Sequence, residues 1–324
     1  MTIALAMSIA LEVCTALIFA WSLLPYLPAG ADGRAPLPYL IALQPFLSIP
    51  AVALFIAGFW IEPSFTGFIA LALMWTFMPG LRYRFQRTQR LPRGKRAQHG
   101  APIRVMTLNC RYGRADADAI VHAVRERHID VLALQEMTAD LVTRLDQAGL
   151  PKMLPHRQLG RDLEENNGGF NGIFSVREPE QTTQSAVPAM PAADVSALTV
   201  DGVTFASAHP KSPMRGCREW SDGIRALAKL GREAGGQAVI LGDLNSNINH
   251  PSFNALLRDG KLMDAGQERP QLSMPTPTFP RWTKWPRITL DHVLVTTGLE
   301  PQVPEAIEIP GSDHLALVTA ITRA

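Results

Sequence analysis

The sequence predicts a mixed α/β domain carried behind a helical membrane segment. Three observations point there. The first 80 of the 324 residues hold only four charged side chains, Glu12, Asp32, Arg34 and Glu62. From residue 103 onward, short apolar runs alternate with stretches of helical spacing. Several of those apolar runs end in Asp, Glu, Asn or His. A chain this uneven is neither a uniform soluble globule nor a disordered polymer.

Met1–Leu24 is apolar almost throughout, broken only by Glu12. As a helix it is long enough to cross about 30 Å of hydrocarbon. Leu37–Ile61 is a second such stretch, and Phe65–Met78 a shorter third, with Glu62 and Pro63 between them. The reading is an N-terminal bundle of about three transmembrane helices over residues 1–80, the last two joined by a tight hairpin. Two spans and a re-entrant segment are the alternative. Ala29-Gly30-Ala31 resembles a signal-peptide cleavage site, but the preceding segment has no Lys or Arg and its apolar run is longer than a leader needs. Glu12 is read as lying near one end of a tilted helix or pairing within the bundle.

Residues 81–102 read as a basic linker, with seven basic and no acidic side chains in 81–96. Such a run stays cytoplasmic under the positive-inside rule, or lies on anionic headgroups. The remainder, 97–324, holds 23 basic and 26 acidic residues. That balance excludes a nucleic-acid reader recognised by charge alone. Three cysteines without a CxxC spacing exclude a disulfide framework and a thiolate zinc site.

Within residues 103–324, Ile103–Leu108 reads as a strand and Ala115–Arg127 as a helix with Ile120, Val121 and Val124 on one face. Val131–Leu134 is a short buried strand, followed by a helix near Ala139–Ala148. Arg161–Gly172 is a charged, glycine-rich loop. Val195–Val200 and Val203–Ala208 form a hairpin about Asp201-Gly202. Trp220–Ala234 is helical, Ala238–Leu241 is an apolar strand, and Pro251–Leu257 opens another helix. Ile288–Val295 and Leu315–Ile321 are the last strands. The hairpins exclude a simple doubly wound sheet.

The polar groups sit where the apolar strands stop. Asn109 follows IRVMTL, Glu136 follows VLALQ, His209 follows VTFASA, and Asp243 and Asn245 follow AVILG. Asp291 and His292 lie in ITLDHVLV, and Ser312, Asp313 and His314 precede LALV. Strands ending this way deliver acids, amides and imidazoles to the rim of a rigid scaffold.

The segments MTLNC (106–110), ALQEM (133–137), SAHP (207–210), GDLNS (242–246), LDHVLV (290–295) and GSDH (311–314) resemble, in order, those of the endonuclease/exonuclease/phosphatase (DNase I-like) superfamily. The resemblance covers residues 103–321. It implies an α/β, four-layer sandwich of two mixed sheets flanked by helices, and a hydrolase of phosphate esters. It implies that Glu136, helped by Asn109 and Asp313, holds a divalent cation, Mg²⁺ or alternatively Mn²⁺. It implies that His314 contacts the scissile phosphate with Asp291 behind it. Asp243 would orient and deprotonate the attacking water, Asn245 would hold a phosphate oxygen, and His209 would donate to the phosphate or leaving group. His292, on the opposite face of its strand, is read as structural.

Fold and metal site do not choose the substrate. A compact, slightly acidic domain tethered to a bilayer favours a lipid-linked phosphate or pyrophosphate, and a membrane-tethered Mg²⁺-dependent nuclease is the alternative. Asn171, Lys211 and Arg215 are candidate substrate contacts, each also readable as a turn or solvated surface residue. Met274–Arg287, with Trp282 and Trp285, reads either as a rim touching lipid or as a proline-rich loop covering a sheet edge. The expected partners are the bilayer and a phosphate ester, with nucleic acid not favoured. The expected location is the plasma (inner) membrane, multi-pass. The whole pattern resembles bacterial membrane-bound members of the superfamily, including the teicoplanin-resistance type, and this favours an extracytoplasmic catalytic domain. The basic run points the other way.

Overall fold

The computed structural model describes residues 3–70, 72, 74, 99–163, 167–187, 192–233, 237–268 and 276–323. Most of the expected basic linker and much of the expected third span lie outside them.

Helix α1 spans Ile3–Ser22, α2 Leu37–Ala42 and α3 Ser48–Ile61. Glu12 sits in mid-helix on the exposed side of α1. The second apolar stretch is therefore interrupted. Gln44-Pro45-Phe46 forms a 3-10 turn between α2 and α3, because Pro45 has no N–H to continue an α-helix. Two segments, Ile3–Tyr26 and Gln44–Ile61, are long and apolar enough to cross a membrane. Ile18, Leu47 and Ala51 pack where they meet. Trp21 Nε1 donates to the Leu40 carbonyl at 2.7 Å, and Gln44 Nε2 donates to the Trp21 carbonyl at 2.6 Å.

The remaining elements build two sheets. Strands β1 (His99–Asn109), β2 (Val131–Met137), β3 (His156–Leu159), β4 (Phe170–Ser175), β11 (Leu299–Pro301), β12 (Glu305–Glu308) and β13 (Leu315–Arg323) form the first. Its order is β11-β13-β1-β2-β4-β3, with β12 also paired to β13. Strands β5 (Gln181–Thr183), β6 (Ser196–Val200), β7 (Val203–Ser207), β8 (Ala238–Asp243), β9 (Leu262–Asp264) and β10 (Asp291–Thr296) form the second, ordered β5-β6-β7-β8-β10-β9. Both sheets are mixed. β1 runs parallel to β2, and β7 parallel to β8, while β13 and β10 return antiparallel.

The sheets face each other through Val105, Val131, Ile173, Phe205, Val239, Leu241 and Val293. Strands buried on both faces must be apolar throughout, which explains why β8 reads AVILG. Helices α4 (Ala117–Arg127) and α5 (Ala139–Gln147) cover the first sheet, and α6 (Cys217–Ala226), α7 (Ala228–Glu233) and α8 (Pro251–Asp259) cover the second. The result is the four-layer sandwich. Asp116 and Thr138 cap α4 and α5 by accepting from the Ala119 and Leu141 N–H groups, satisfying donors that a helix start leaves open. The predicted Trp220–Ala234 helix is instead two helices, α6 and α7, with Leu227 between them.

Asp291 pairs with Asp243 across β10 and β8, and Asn109 with Gln135 across β1 and β2. These registers bring the polar ends of both sheets to one rim. Gly242 lies in β8 just before Asp243 with φ +153°, and a Cβ there would run into the Ala208 carbonyl. Gly242→Ala is expected to cost about 2 kcal/mol or more of stability, read as a lowered thermal midpoint of the full-length protein in detergent.

Candidate active site

At the rim, Asp243 is the hub. Its Oδ2 accepts from Asn109 Nδ2 at 3.0 Å and lies 3.5 Å from His209 Nε2 and 3.6 Å from His314 Nε2. Its Oδ1 accepts from the Asn245 N–H at 2.8 Å. On the far side of His314, Nδ1 lies 2.8 Å from Asp291 Oδ2. The order is carboxylate, imidazole, carboxylate, and all three are buried.

Charge follows from this geometry. Burial alone would lower the pKa of His314, but the charges of Asp291 and Asp243 outweigh it and push the value up to about 10. Burial would raise Asp243, yet the His314 and His209 rings hold it well below the usual carboxylate range. His209 is likewise disfavoured as a cation by burial, and the hydrogen bond and charge of Asp243, then the charge of Glu136, reverse this and raise it. The arrangement favours the imidazolium form of His314 beside an ionised Asp243.

Glu136 lies near the end of β2 with φ +53°. Its Oε1 accepts from Asn109 Nδ2 at 3.0 Å, and its Oε2 from the Tyr112 N–H at 2.8 Å. Among the described residues eight non-glycine residues have positive φ, and Arg111, Tyr112, Glu136, Asn167 and Asn245 of these surround the site. Such backbone is uncommon outside glycine and gathers where function overrides local preference. The turn after β1 is further fixed by Arg111 N–H donating to Asn109 Oδ1 at 2.8 Å and by Ser312 Oγ donating to the Asn109 carbonyl at 2.7 Å.

Asp313 lies at the same mouth, with Oδ2 3.6 Å from Arg111 Nε. The side chains of Glu136 and Asp313 are 13% and 23% exposed, more open than Asp243 at 3%. Carboxylate and amide oxygens suit a hard divalent cation, so Glu136, Asp313 and Asn109 are a donor set that fits one. The tightest acidic grouping among the described residues, Asp243, Asp291 and His314 with ligand atoms within 4.8 Å, fits less well. There the imidazolium already occupies the space between the carboxylates.

The structure thus brings together Asn109, Glu136, His209, Asp243, Asn245, Asp291, Asp313 and His314. Among the described residues none of them hydrogen-bonds Asn171. Asn171 is buried on β4 opposite the register shift of β2, its Nδ2 donating to the Asp194 carbonyl at 2.8 Å while its Oδ1 has no hydrogen-bond partner among the described residues. Arg215 lies at the rim, Nη2 donating to the Tyr112 hydroxyl at 3.0 Å. Lys211 is half-buried beside it on the same loop. His292 turns away, bonding Asp264 Oδ2 at 2.8 Å and the Ser246 carbonyl at 2.9 Å.

Three rim residues escaped the sequence reading. Asn167 places its amide 3.1 Å from His209 Nε2, and its Oδ1 accepts from the Ser212 N–H. Arg111 sits between Asp313 and the Trp282 ring, and Tyr112 between Glu136 and Arg215. The one signal in the sequence was position: Arg111 and Tyr112 directly follow the strand that ends at Asn109, and Asn167 precedes Gly168-Gly169.

Two mixed sheets ending in a buried carboxylate–imidazole relay, beside open carboxylates able to hold a cation, define a hydrolase of the α/β-sandwich class. A model described as the endonuclease/exonuclease/phosphatase family matches residues 106–314. The chain belongs to that family, whose members are divalent-metal-dependent hydrolases of phosphate esters. Solved structures share the fold at low identity. The family member from Beutenbergia cavernae is 18% identical, with TM-score 0.52 over 69% of this chain and 72% of its own. That from Bacteroides vulgatus is 14% identical, with TM-score 0.53 over 69% and 100%. A humanized D. rerio TDP2 is 15% identical, with TM-score 0.54 over 68% and 99%. No curated protein sequence matches the chain.

Asp291→Asn removes the charge that does most to keep His314 protonated. The His314 titration, followed by NMR of its ring protons in metal-free protein, is expected to move to lower pH by about one unit or more.

Proposed function

We propose that this protein is a membrane-anchored, Mg²⁺-dependent phosphodiesterase or phosphatase that acts on lipid-linked phosphate or pyrophosphate. The observation that carries the reading is the join between the catalytic mouth and the membrane-length helices. Trp285 packs edge-on against Phe46 at 5.9 Å, in the turn that opens the second apolar segment. The same loop reaches the catalytic turn. Phe279 lies 4.8 Å from the His314 ring, and the Arg281 N–H and Nε donate to the Asp313 and Ser312 carbonyls. Trp282 and Trp285 are 62% and 67% exposed, and tryptophan favours the headgroup region.

Residues 27–43, between the two membrane-length segments, touch the catalytic unit, so both belong on one side of a bilayer. Helical backbone resumes at 66–70, where the third apolar stretch of the sequence begins.

In the proposed chemistry, Glu136, Asn109 and Asp313 hold the cation, which offsets negative charge on the phosphoryl oxygens. His314, held protonated, and His209 stand on the substrate side of Asp243, placed to donate to those oxygens. As a phosphate draws the two rings toward itself, Asp243 loses the interactions that depress its pKa and becomes a stronger base for the attacking water. Asn245 is fixed by its N–H to Asp243 and by Nδ2 donating to the Pro210 carbonyl at 3.3 Å, which presents its amide to the same space. Arg111 and Arg215 border the mouth and supply charge for a second phosphate.

The test uses full-length protein in nanodiscs with Mg²⁺. Phosphate release from polyprenyl pyrophosphate and phospholipids is measured beside nicking of supercoiled plasmid. Lipid turnover is expected, lost on EDTA treatment and restored by Mg²⁺, and reduced about a hundredfold or more in Glu136→Gln and Asp243→Asn. Salt-sensitive plasmid nicking without lipid turnover identifies a tethered nuclease instead. A second measurement addresses the rim. Trp282→Ala with Trp285→Ala is expected to lower turnover on lipid vesicles about tenfold while leaving a soluble phosphodiester within about twofold. An unchanged ratio removes the lipid-contact reading.

A further inference from the structure

Asp32 is one of four charged residues in the apolar N-terminal segment, and it is completely buried. It is not buried among membrane helices. Its Oδ2 accepts from the Ser252 N–H at 2.9 Å and its Oδ1 from Ser252 Oγ at 2.6 Å. Ser252 is the second residue of α8, a helix whose own N-terminal neighbour, His250, offers no side-chain cap. The Ser252 N–H, open at the start of α8, is therefore satisfied from outside, by a carboxylate placed at the positive end of the helix.

The contact is a set of bonds. Gly30 N–H donates to Ser252 Oγ at 3.2 Å. Since Ser252 gives its one hydroxyl proton to Asp32, Ser221 is the donor in the 2.7 Å Ser221–Ser252 pair. Asn247 Nδ2 donates to the Ala42 carbonyl at 3.1 Å. His250 Nδ1 accepts from the Asn247 N–H, so its proton is on Nε2, which donates to the Pro38 carbonyl at 3.0 Å. Gly33 lies so close that a Cβ on it would sit 3.0 Å from Ser221 Cβ.

All these partners stand on or against one connection, from Asp243 at the end of β8 to Ser252 at the start of α8. That connection carries Asp243 and Asn245. Its inner side is pinned by His292 on the Ser246 carbonyl, and its outer side by residues 30–42 of the anchor.

We propose that the segment between the two membrane-length helices is a clamp that sets the position of the catalytic loop 243–252, and that Asp32 is a positioning residue for hydrolysis. The inference rests on the hydrolase reading only for its effect on turnover. Docking itself is independent of it.

The experiment uses full-length protein in nanodiscs carrying Cys14→Ser and Cys217→Ser, with Cys110 left buried. Gly33→Cys and Ser221→Cys are added, a pair whose separation is within about half an ångström of disulfide geometry. Oxidation is expected to link most molecules internally, with kcat on bis(p-nitrophenyl) phosphate kept within about twofold. In the same background, Asp32→Ala is expected to lower kcat about tenfold or more with little change in KM, as a small misplacement of a reacting group does. It is also expected to speed hydrogen exchange at 245–252. Oxidation of that variant restores kcat, because the disulfide replaces the lost clamp. The proposal is overturned if no link forms, if the linked protein is inactive while the reduced one is active, or if Asp32→Ala keeps full kcat. If the parent protein hydrolyses no phosphate ester, the hydrolase reading fails. The clamp is then judged by link formation and by exchange at 245–252 alone: faster exchange in Asp32→Ala sustains it, and unchanged exchange ends it.

Discussion

His314 stands between two carboxylates, and that alternation of charge is what lets so many ionisable groups share one buried end of the sandwich. A lone carboxylate at the position of Asp243 would be driven to its neutral form by desolvation. Two carboxylates without the ring between them could not both ionise. With His314 and His209 in place, Asp243 stays ionised, Asp291 keeps the ring protonated, and Asn109 ties the whole to Glu136. The fold supplies the setting. Two sheets buried on both faces can end in polar groups only at their rims, and the antiparallel return of β10 and β13 adds their starts to the ends of β1, β2, β7 and β8 at the same one.

This explains why so much was legible in the sequence. The apolar runs ending in Asn109, Glu136 and Asp243 are visible because a double-faced strand has few polar residues to spare until it stops, and Asp291 marks where β10 begins. Asn171 shows the limit. It follows a glycine-rich loop as a phosphate-side amide might, yet it lies within β4, where its amide goes to the Asp194 carbonyl. Asn167, four residues earlier, is the one beside His209. No periodicity separates the two, since the loop path alone decides which reaches the rim. Arg111 and Tyr112 were hidden for a related reason. Their positive φ values arise from the turn that Asn109 and Ser312 hold, a long-range constraint with no local signature. The break at Pro45 inside the second apolar stretch was readable from proline chemistry, but hydropathy smoothed over it.

The N-terminal segment has two faces with different demands. Along α1, Ile3, Leu5, Ile9, Val13 and Leu17 are exposed, a continuous apolar surface of the kind soluble domains avoid. The connection after it does the opposite, burying a carboxylate and offering backbone carbonyls to Asn247 and His250. Hydropathy alone records only the first face.

The hydrogen bonds from Arg281 to the Asp313 and Ser312 carbonyls have a consequence for how such a protein can diversify. The loop that carries Trp282 and Trp285 is fastened to the backbone that presents His314, so the rim and that turn are inherited as a linked pair. A lineage that reshapes this rim also disturbs the turn beside His314. Change is easiest on the other lip, at Lys211 and Arg215, where the side chains stand free of that turn.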